Sequence, residues 1–252
     1  MNQLSVQFQL GIDKLFGERV AVMSGKGGVG KSLVSGLIAL SLAKKGVKTT
    51  LLDADVLGPN DASLFGISEN ARVEGEKIIP AEINENLDLV SSAMFLPDRS
   101  KAIIWRGPMV TKFLRELVMK TNWRKKDALV IDLPPGTGDV ALTVLNEFRP
   151  TKIVLVGTPQ RIVVEDVIRA GNMVKELGYS VSAYVENFSY VDCGQRYEAF
   201  GKSKLEEVSK AIEAKKSIAL PLKKEVSELA DLGRIVEIFD MHPFSDIGDL
   251  IE

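Results

Sequence analysis

The sequence predicts an α/β protein built on a doubly wound, mostly parallel sheet with helices on both faces. Three observations carry that expectation. Short β-branched and apolar runs alternate with stretches of helical periodicity from about residue 19 to residue 232. The first run leads into a glycine-rich loop and a helix, and later runs deliver Asp53, Asp132 and Asn187. Polar residues at strand ends suit the crevice where open α/β sheets bind ligands. No linker, repeat or low-complexity segment breaks the alternation, so residues 1–252 read as one domain.

Residues 1–18 mix polar and apolar side chains and read as a lead-in packed on the domain. Residues 19–24 form the first strand. Next comes Gly25-Lys26-Gly27-Gly28-Val29-Gly30-Lys31-Ser32. Leu33, Val34, Leu37, Ile38 and Leu42 then recur at helical spacing until Gly46, predicting a helix over 31–45. The loop fits Gly-x4-Gly-Lys-[Ser/Thr], and strand, glycine loop, helix is the context in which that pattern forms a phosphate-binding P-loop. Glycines turn backbone N–H groups inward at a helix N-terminus with no Cβ in the way. Lys31 is expected to reach the β- and γ-phosphates and the Ser32 hydroxyl to ligate Mg²⁺. ATP and Mg²⁺ are therefore the expected cofactors.

Residues 47–52 are the next strand, ending in Asp53-Ala54-Asp55. From 56 to 100 the pattern is irregular, with a weak hairpin expected between 77–79 and 87–89. A short strand over 102–105 precedes a helix opening at Gly107-Pro108 and reaching Lys120. Residues 128–132 are a buried strand ending in Asp132, followed by Pro134-Pro135-Gly136-Thr137-Gly138-Asp139. A strand over 152–156, a helix over 161–177 and a strand over 181–185 follow, the last leading to Asn187. Helices near 201–215 and 223–232 flank a short strand over 218–220.

Phosphoryl hydrolysis needs a metal opposite Ser32 and a group that positions water. Asp132, after four apolar residues, is the expected Mg²⁺ anchor of Walker B type. Asp55 is the candidate for orienting the water, and Asp53 for supporting the metal shell; the sequence does not divide those two roles. Gly136 and Gly138 frame a segment suited to switching with the γ-phosphate. Asn187 has a donor and an acceptor that suit the adenine edge. Lys26, a second cation inside the loop, exceeds what holding the nucleotide requires.

Composition limits the alternatives. Hydrophobic content of 45% and charged content of 26% match a globular protein with a substantial core. A net charge of −2 argues against a nucleic-acid-binding surface. The local run Arg124-Lys125-Lys126 reads as a solvated turn. Cys193 is the only cysteine and His242 the only histidine, which rules out an intrachain disulfide or a four-ligand Cys/His site. With no apolar stretch of about 18 residues and no signal pattern, a cytoplasmic protein without membrane association is expected.

The loop Gly-Lys-Gly-Gly-x-Gly-Lys-[Ser/Thr] resembles the deviant Walker A loop of dimeric ATPases. Their lysine at the position of Lys26 crosses to the partner subunit's nucleotide. Further strings carry a narrower resemblance: Asp53-Ala54-Asp55-Val56-Leu57-Gly58-Pro59, Trp105-Arg106-Gly107-Pro108, Asp132-Leu133-Pro134-Pro135-Gly136-Thr137-Gly138-Asp139, and Glu186-Asn187-Phe188-Ser189-Tyr190. Together they are similar to the Mrp-type iron–sulfur cluster carrier ATPases, which include the ApbC-like proteins. The resemblance implies a slow, Mg²⁺-dependent ATPase acting as a nucleotide-gated homodimer. It also implies apo iron–sulfur proteins or cluster-assembly proteins as partners, and a cluster held at the dimer interface by a Cys-x-x-Cys from each subunit. Here Cys193 matches the second cysteine and the first is missing. A conventional cluster takes four thiolates and a dimer of this chain offers two. Three alternatives follow: Asp192 or an external thiol completes the site, another metal or a protein uses Cys193, or the chain is a cluster-free ATPase switch. A partition or positioning ATPase is the further alternative, although the last twelve residues lack the basic tail it would need.

Overall fold

Val20, Ala21, Val22 and Met23 are fully buried. A run apolar toward both faces is what a central parallel strand under two helical layers requires. In the computed structural model, which describes residues 12–95, 107–123, 127–192 and 194–252, this run lies in β1 (Glu18–Ser24). The chain continues through α1 (Lys31–Lys44), β2 (Thr49–Asp53), α2 (Asp61–Leu64), β3 (Arg72–Glu74), β4 (Lys77–Ile79), β5 (Ala81–Asn84) and β6 (Leu87–Ser91). After α3 (Gly107–Lys120) come β7 (Ala128–Asp132), α4 (Asp139–Phe148), β8 (Lys152–Gly157), α5 (Arg161–Glu176), β9 (Ala183–Asp192) and β10 (Arg196–Tyr197). The sequence closes with α6 (Leu205–Ile212), β11 (Lys216–Pro221), α7 (Lys224–Asp231), α8 (Ile235–Phe239) and a 3₁₀ segment, Phe244–Ile251.

β1 sits between β7 and β8, parallel to both. On the β7 side follow β2 and β6, also parallel, with β5 antiparallel at the edge. On the β8 side follow β9 and β11, again parallel. The chain winds outward from β1 in one direction, returns to β7, and then winds the other way. The doubly wound sheet of the sequence analysis is the one found, and its switch point lies where the glycine loop leaves β1. Register then sets the site: Asp53 on β2 is level with Asp132 on β7 and with Ser91 on β6.

Several elements differ from the expectation. Residues 77–79 and 87–89 do not pair. β4 forms a hairpin with β3 around Gly75, whereas β6, buried along its whole length, joins the main sheet beside β2. α4 was not anticipated, although Ala141, Val144, Leu145 and Phe148 are buried at helical spacing. β9 extends to Asp192, so Asn187 lies within the strand instead of at its end. The lead-in packs as expected where it is described: Phe16 is fully buried and meets the Trp123 ring edge-on at 5.4 Å. The expected strand over 102–105 and the run Arg124-Lys125-Lys126 lie outside the described residues.

Candidate functional site

The P-loop leaves β1 at Ser24, whose hydroxyl donates to the Lys26 carbonyl at 2.8 Å. Gly28 and Gly30 take φ values of 80° and 84°, a left-handed conformation that glycine adopts without a Cβ penalty. Gly30 is the residue before α1. No side chain caps that helix, and its first turn carries no acid. Its leading N–H groups and the positive end of its dipole are thus left for an anion. A cavity of about 300 Å³ opens here, with Gly27, Gly28, Lys31, Ser32, Asp55 and Phe188 among its lining residues. A larger cleft, about 670 Å³, lies between the β3–β4 hairpin and α3, and no glycine loop reaches it.

Two close approaches fix the loop. A Cβ on Gly25 would stand 2.4 Å from the backbone carbonyl carbon of Asp166 in α5, and one on Gly30 would stand 2.1 Å from Asn187 Nδ2. Val29, between them, is buried.

Lys31 is 7% exposed and points at carboxylates. Its Nζ lies 2.7 Å from Asp132 Oδ2 and 3.7 Å from Asp55 Oδ2. The Ser32 hydroxyl donates to the same Asp132 Oδ2 at 2.7 Å, and the Ser35 hydroxyl donates to Oδ1 at 2.6 Å. Burial works against the Lys31 charge, but the field of Asp132, with Asp55 and Asp61 behind it, prevails and raises its pKa. Asp55 is raised as well: burial outweighs the neighbouring ammonium of Lys31, and Asp132 adds repulsion.

Behind this pair sit two more acids. Asp53 is fully buried and accepts from the Ser91 hydroxyl (2.8 Å), the Asp55 N–H (3.2 Å) and the Asp61 N–H (3.4 Å). Burial, then repulsion from Asp132, pushes it up to about 8. Asp61 is equally buried, and neither of its carboxylate oxygens has a hydrogen-bond partner. Burial with the charges of Asp132 and Asp53 drives it well above the ordinary carboxylate range. Sequence reasoning passed over Asp61, since an acid in the first turn of a helix is ordinary. Only the packing of α2 against β6 brings it beside Asp53.

The other candidates divide. Lys26 is partly exposed and pairs with Asp166 at 3.2 Å, and Asp166 also accepts from Arg169 at 2.6 Å. Asn187 is buried against the loop, donating from Nδ2 to the Val29 carbonyl at 3.0 Å, with Oδ1 unpartnered. Gly136, at φ 90°, hooks its segment onto β1 by donating to the Ser24 carbonyl at 2.8 Å. Gly138 is the residue before α4. Cys193 lies outside the described residues. Its neighbour Asp192 is exposed and pairs with Arg196 across β9 and β10, and the Arg196 guanidinium stands 3.8 Å from the centroid of the Tyr190 ring. Glu186, not singled out from sequence, anchors the base of this segment: it accepts from the hydroxyls of Ser189 and Ser203 and from the Lys204 N–H. Among the described residues no helix is long and apolar enough to cross a membrane.

The donors present suit nucleotide-bound Mg²⁺. The Ser32 hydroxyl and the Asp132 carboxylate already touch at the mouth of an uncapped helix, a set of hard oxygen ligands.

A parallel sheet with a glycine loop at its switch point, followed by a lysine and a serine that converge on a strand-end aspartate, defines a nucleotide-binding P-loop protein. The model of the NUBPL iron-transfer P-loop NTPases, of ParA type, matches residues 16–249, and the chain belongs to that family. It is 42% identical over 234 residues to an iron–sulfur cluster carrier protein of Aquifex aeolicus, covering 91% of this chain and 64% of that one. A Clostridium perfringens iron–sulfur cluster carrier protein is 36% identical over 234 residues, covering 89% of this chain and 82% of that protein. The chain thus spans just under two thirds of the length of the Aquifex relative. Among solved structures, a nucleotide-binding protein from Archaeoglobus fulgidus in complex with ADP superposes with a TM-score of 0.78 at 35% identity, covering 95% of this chain and 97% of that one. The cell division ATPase MinD of Pyrococcus furiosus (TM-score 0.67, 19% identity, 94% and 98% covered) shares the fold.

Proposed function

We propose that the chain, working as one P-loop domain, is a Mg²⁺-dependent ATPase whose nucleotide-gated homodimer carries an iron–sulfur cluster to apo-proteins or cluster-assembly partners. The observation that carries it is the convergence of Lys31, Ser32 and Ser35 on Asp132 beside an uncapped helix N-terminus, in a member of an iron-transfer family.

In this scheme the phosphates take Lys31 from Asp132. Ser32 and Asp132 would hold Mg²⁺, which would supply charge neutralisation at the phosphates. Asp55, next to Lys31, accepts a proton from the attacking water and orients it. Lys26 leaves Asp166 for the partner subunit's nucleotide, and Arg169 keeps Asp166 paired when it does. Asn187 reads the adenine edge with its spare Oδ1 while its Nδ2 stays on Val29. Cluster cargo is held where Cys193 of each subunit meets, with Asp192 or an added thiol completing the ligand set. The setting is cytoplasmic, without membrane or nucleic acid.

The test is anaerobic reconstitution with iron and sulfide, comparing the native chain with Cys193→Ser, followed by transfer to an apo-ferredoxin with and without ATP. A charge-transfer band and bound iron that disappear in the variant, with transfer that responds to ATP, are the expected result. An ATPase that takes up no cluster in either form would instead favour the cluster-free switch.

A further inference from the structure

Asp53, Asp55, Asp61 and Asp132 crowd around a single ammonium, Lys31, which lies within ion-pair distance of Asp132 and Asp55. Asp53 accepts from three donors. Asp61 is fully buried with both oxygens unpartnered, a costly state for a carboxyl unless a ligand supplies the missing contact. One oxygen each of Asp53, Asp61 and Asp132 lie within 4.8 Å of one another. Divalent cations hold oxygens at about 2.0–2.6 Å, so opposite ligands of one ion stand about 4–5 Å apart. The cluster has that size.

We propose that Asp53, Asp61 and Asp132 form a second divalent-cation site, independent of the Ser32 hydroxyl, that fills when phosphate draws Lys31 off Asp132. While Lys31 stays on Asp132 Oδ2 it supplies the local positive charge. Once it leaves, Asp53, Asp61 and Asp132 remain buried without their ammonium, and the Mg²⁺ proposed at Ser32 serves Asp132 alone. A divalent ion replaces the ammonium, and Asp61 is the ligand with no other partner to give up. Because Asp61 opens α2, such an ion ties α2 to the ends of β2 and β7 and holds the intervening segment that carries Asp55.

Release of Lys31 by phosphate rests on the proposed nucleotide function, so one arm of the test avoids nucleotide. Lys31→Met without nucleotide should bind one Mn²⁺ per chain by electron paramagnetic resonance, and adding Asp61→Asn should weaken that binding at least 10-fold. In the second arm, the unmodified chain saturated with ADP should hold two Mn²⁺ and its Asp61→Asn variant one. Should Lys31→Met fail to fold, the second arm decides. Equal Mn²⁺ binding with and without Asp61 in either arm overturns the site, as does the absence of Mn²⁺ from folded Lys31→Met. ADP binding is followed separately with a fluorescent analogue. Its loss would count against the nucleotide function and not against the carboxylate site.

Discussion

Lys31, which the sequence assigns to the phosphates, is held in the structure by the carboxylates of Asp132 and Asp55. Truncating one partner of a buried ion pair costs about 3–5 kcal/mol, since the other charge is left uncompensated. Lys31→Ala is therefore expected to lower thermal stability as well as abolish binding of a fluorescent ATP analogue, whereas a loop lysine with only a ligand role would affect binding alone. Asp55→Asn should leave analogue binding intact and reduce turnover about 10²–10⁴-fold, the usual scale for a positioned acid–base group, measured as phosphate release. The raised Asp53 gives a pH dependence of definite sign. Burial and Asp132 let the folded state keep its proton up to about pH 8, while the unfolded chain loses it near the ordinary carboxylate value of 3.8. Stability from this group is complete below about pH 4 and is lost as pH rises toward 8, by up to about 1.4 kcal/mol per pH unit per differential proton. Melting of the nucleotide-free protein in chelator should show that fall, and Asp53→Asn should flatten it. Lys26, Lys31 and Ser32 stand out in the sequence because a motif fixes their spacing, and Asp132 because it ends an apolar strand run. Asp61 does not, because its significance depends on which strand end α2 packs beside.

At the scale of elements, the P-loop depends on what presses against it. Gly28 and Gly30 share the same backbone conformation, yet a Cβ on Gly28 meets open space and one on Gly30 meets the Asn187 amide. Gly28→Ala is expected to cost about 1–2 kcal/mol from left-handed strain alone. Gly30→Ala adds the displaced hydrogen bond to the Val29 carbonyl, roughly 1 kcal/mol more. For a chain of this size each kcal/mol moves the melting temperature about 2–4 °C, so differential scanning calorimetry should rank Gly30→Ala below Gly28→Ala. The difference between the two disappears if Asn187 moves aside freely. Sequence located the loop and its helix but not the wall behind them. The strand run ending at 185 was apolar and easily seen, whereas its polar continuation through Asn187, Ser189 and Asp192 gave no strand pattern. β9 nevertheless carries it from the P-loop out to the neighbour of Cys193. α4 was missed for a related reason: two prolines and two glycines just before it read as loop, and their weight hid a helical repeat.

For the whole molecule, winding direction explains both what could be foreseen and what could not. Alternation of strand and helix specifies a parallel sheet, but the order of strands within it is decided by long-range pairing. The level placement of Asp53 and Asp132 follows from that order. β6 was misplaced for the same reason, since a short apolar strand carries no label of its neighbour. A single chain presents Lys26 partly exposed and engaged with its own Asp166. If Lys26 acts in trans, the subunit is incomplete alone and ATP, not ADP, should bring two copies together. Light scattering with a non-hydrolysable ATP analogue is expected to show a dimer for the native chain and a monomer for Lys26→Ala. Turnover of the variant should fall about 10³-fold, in line with the loss of a cation supplied in trans, while its ADP affinity is unchanged. A Lys26→Ala protein that still dimerises and hydrolyses normally would leave Lys26 as a surface partner of Asp166 and confine the chemistry to one subunit.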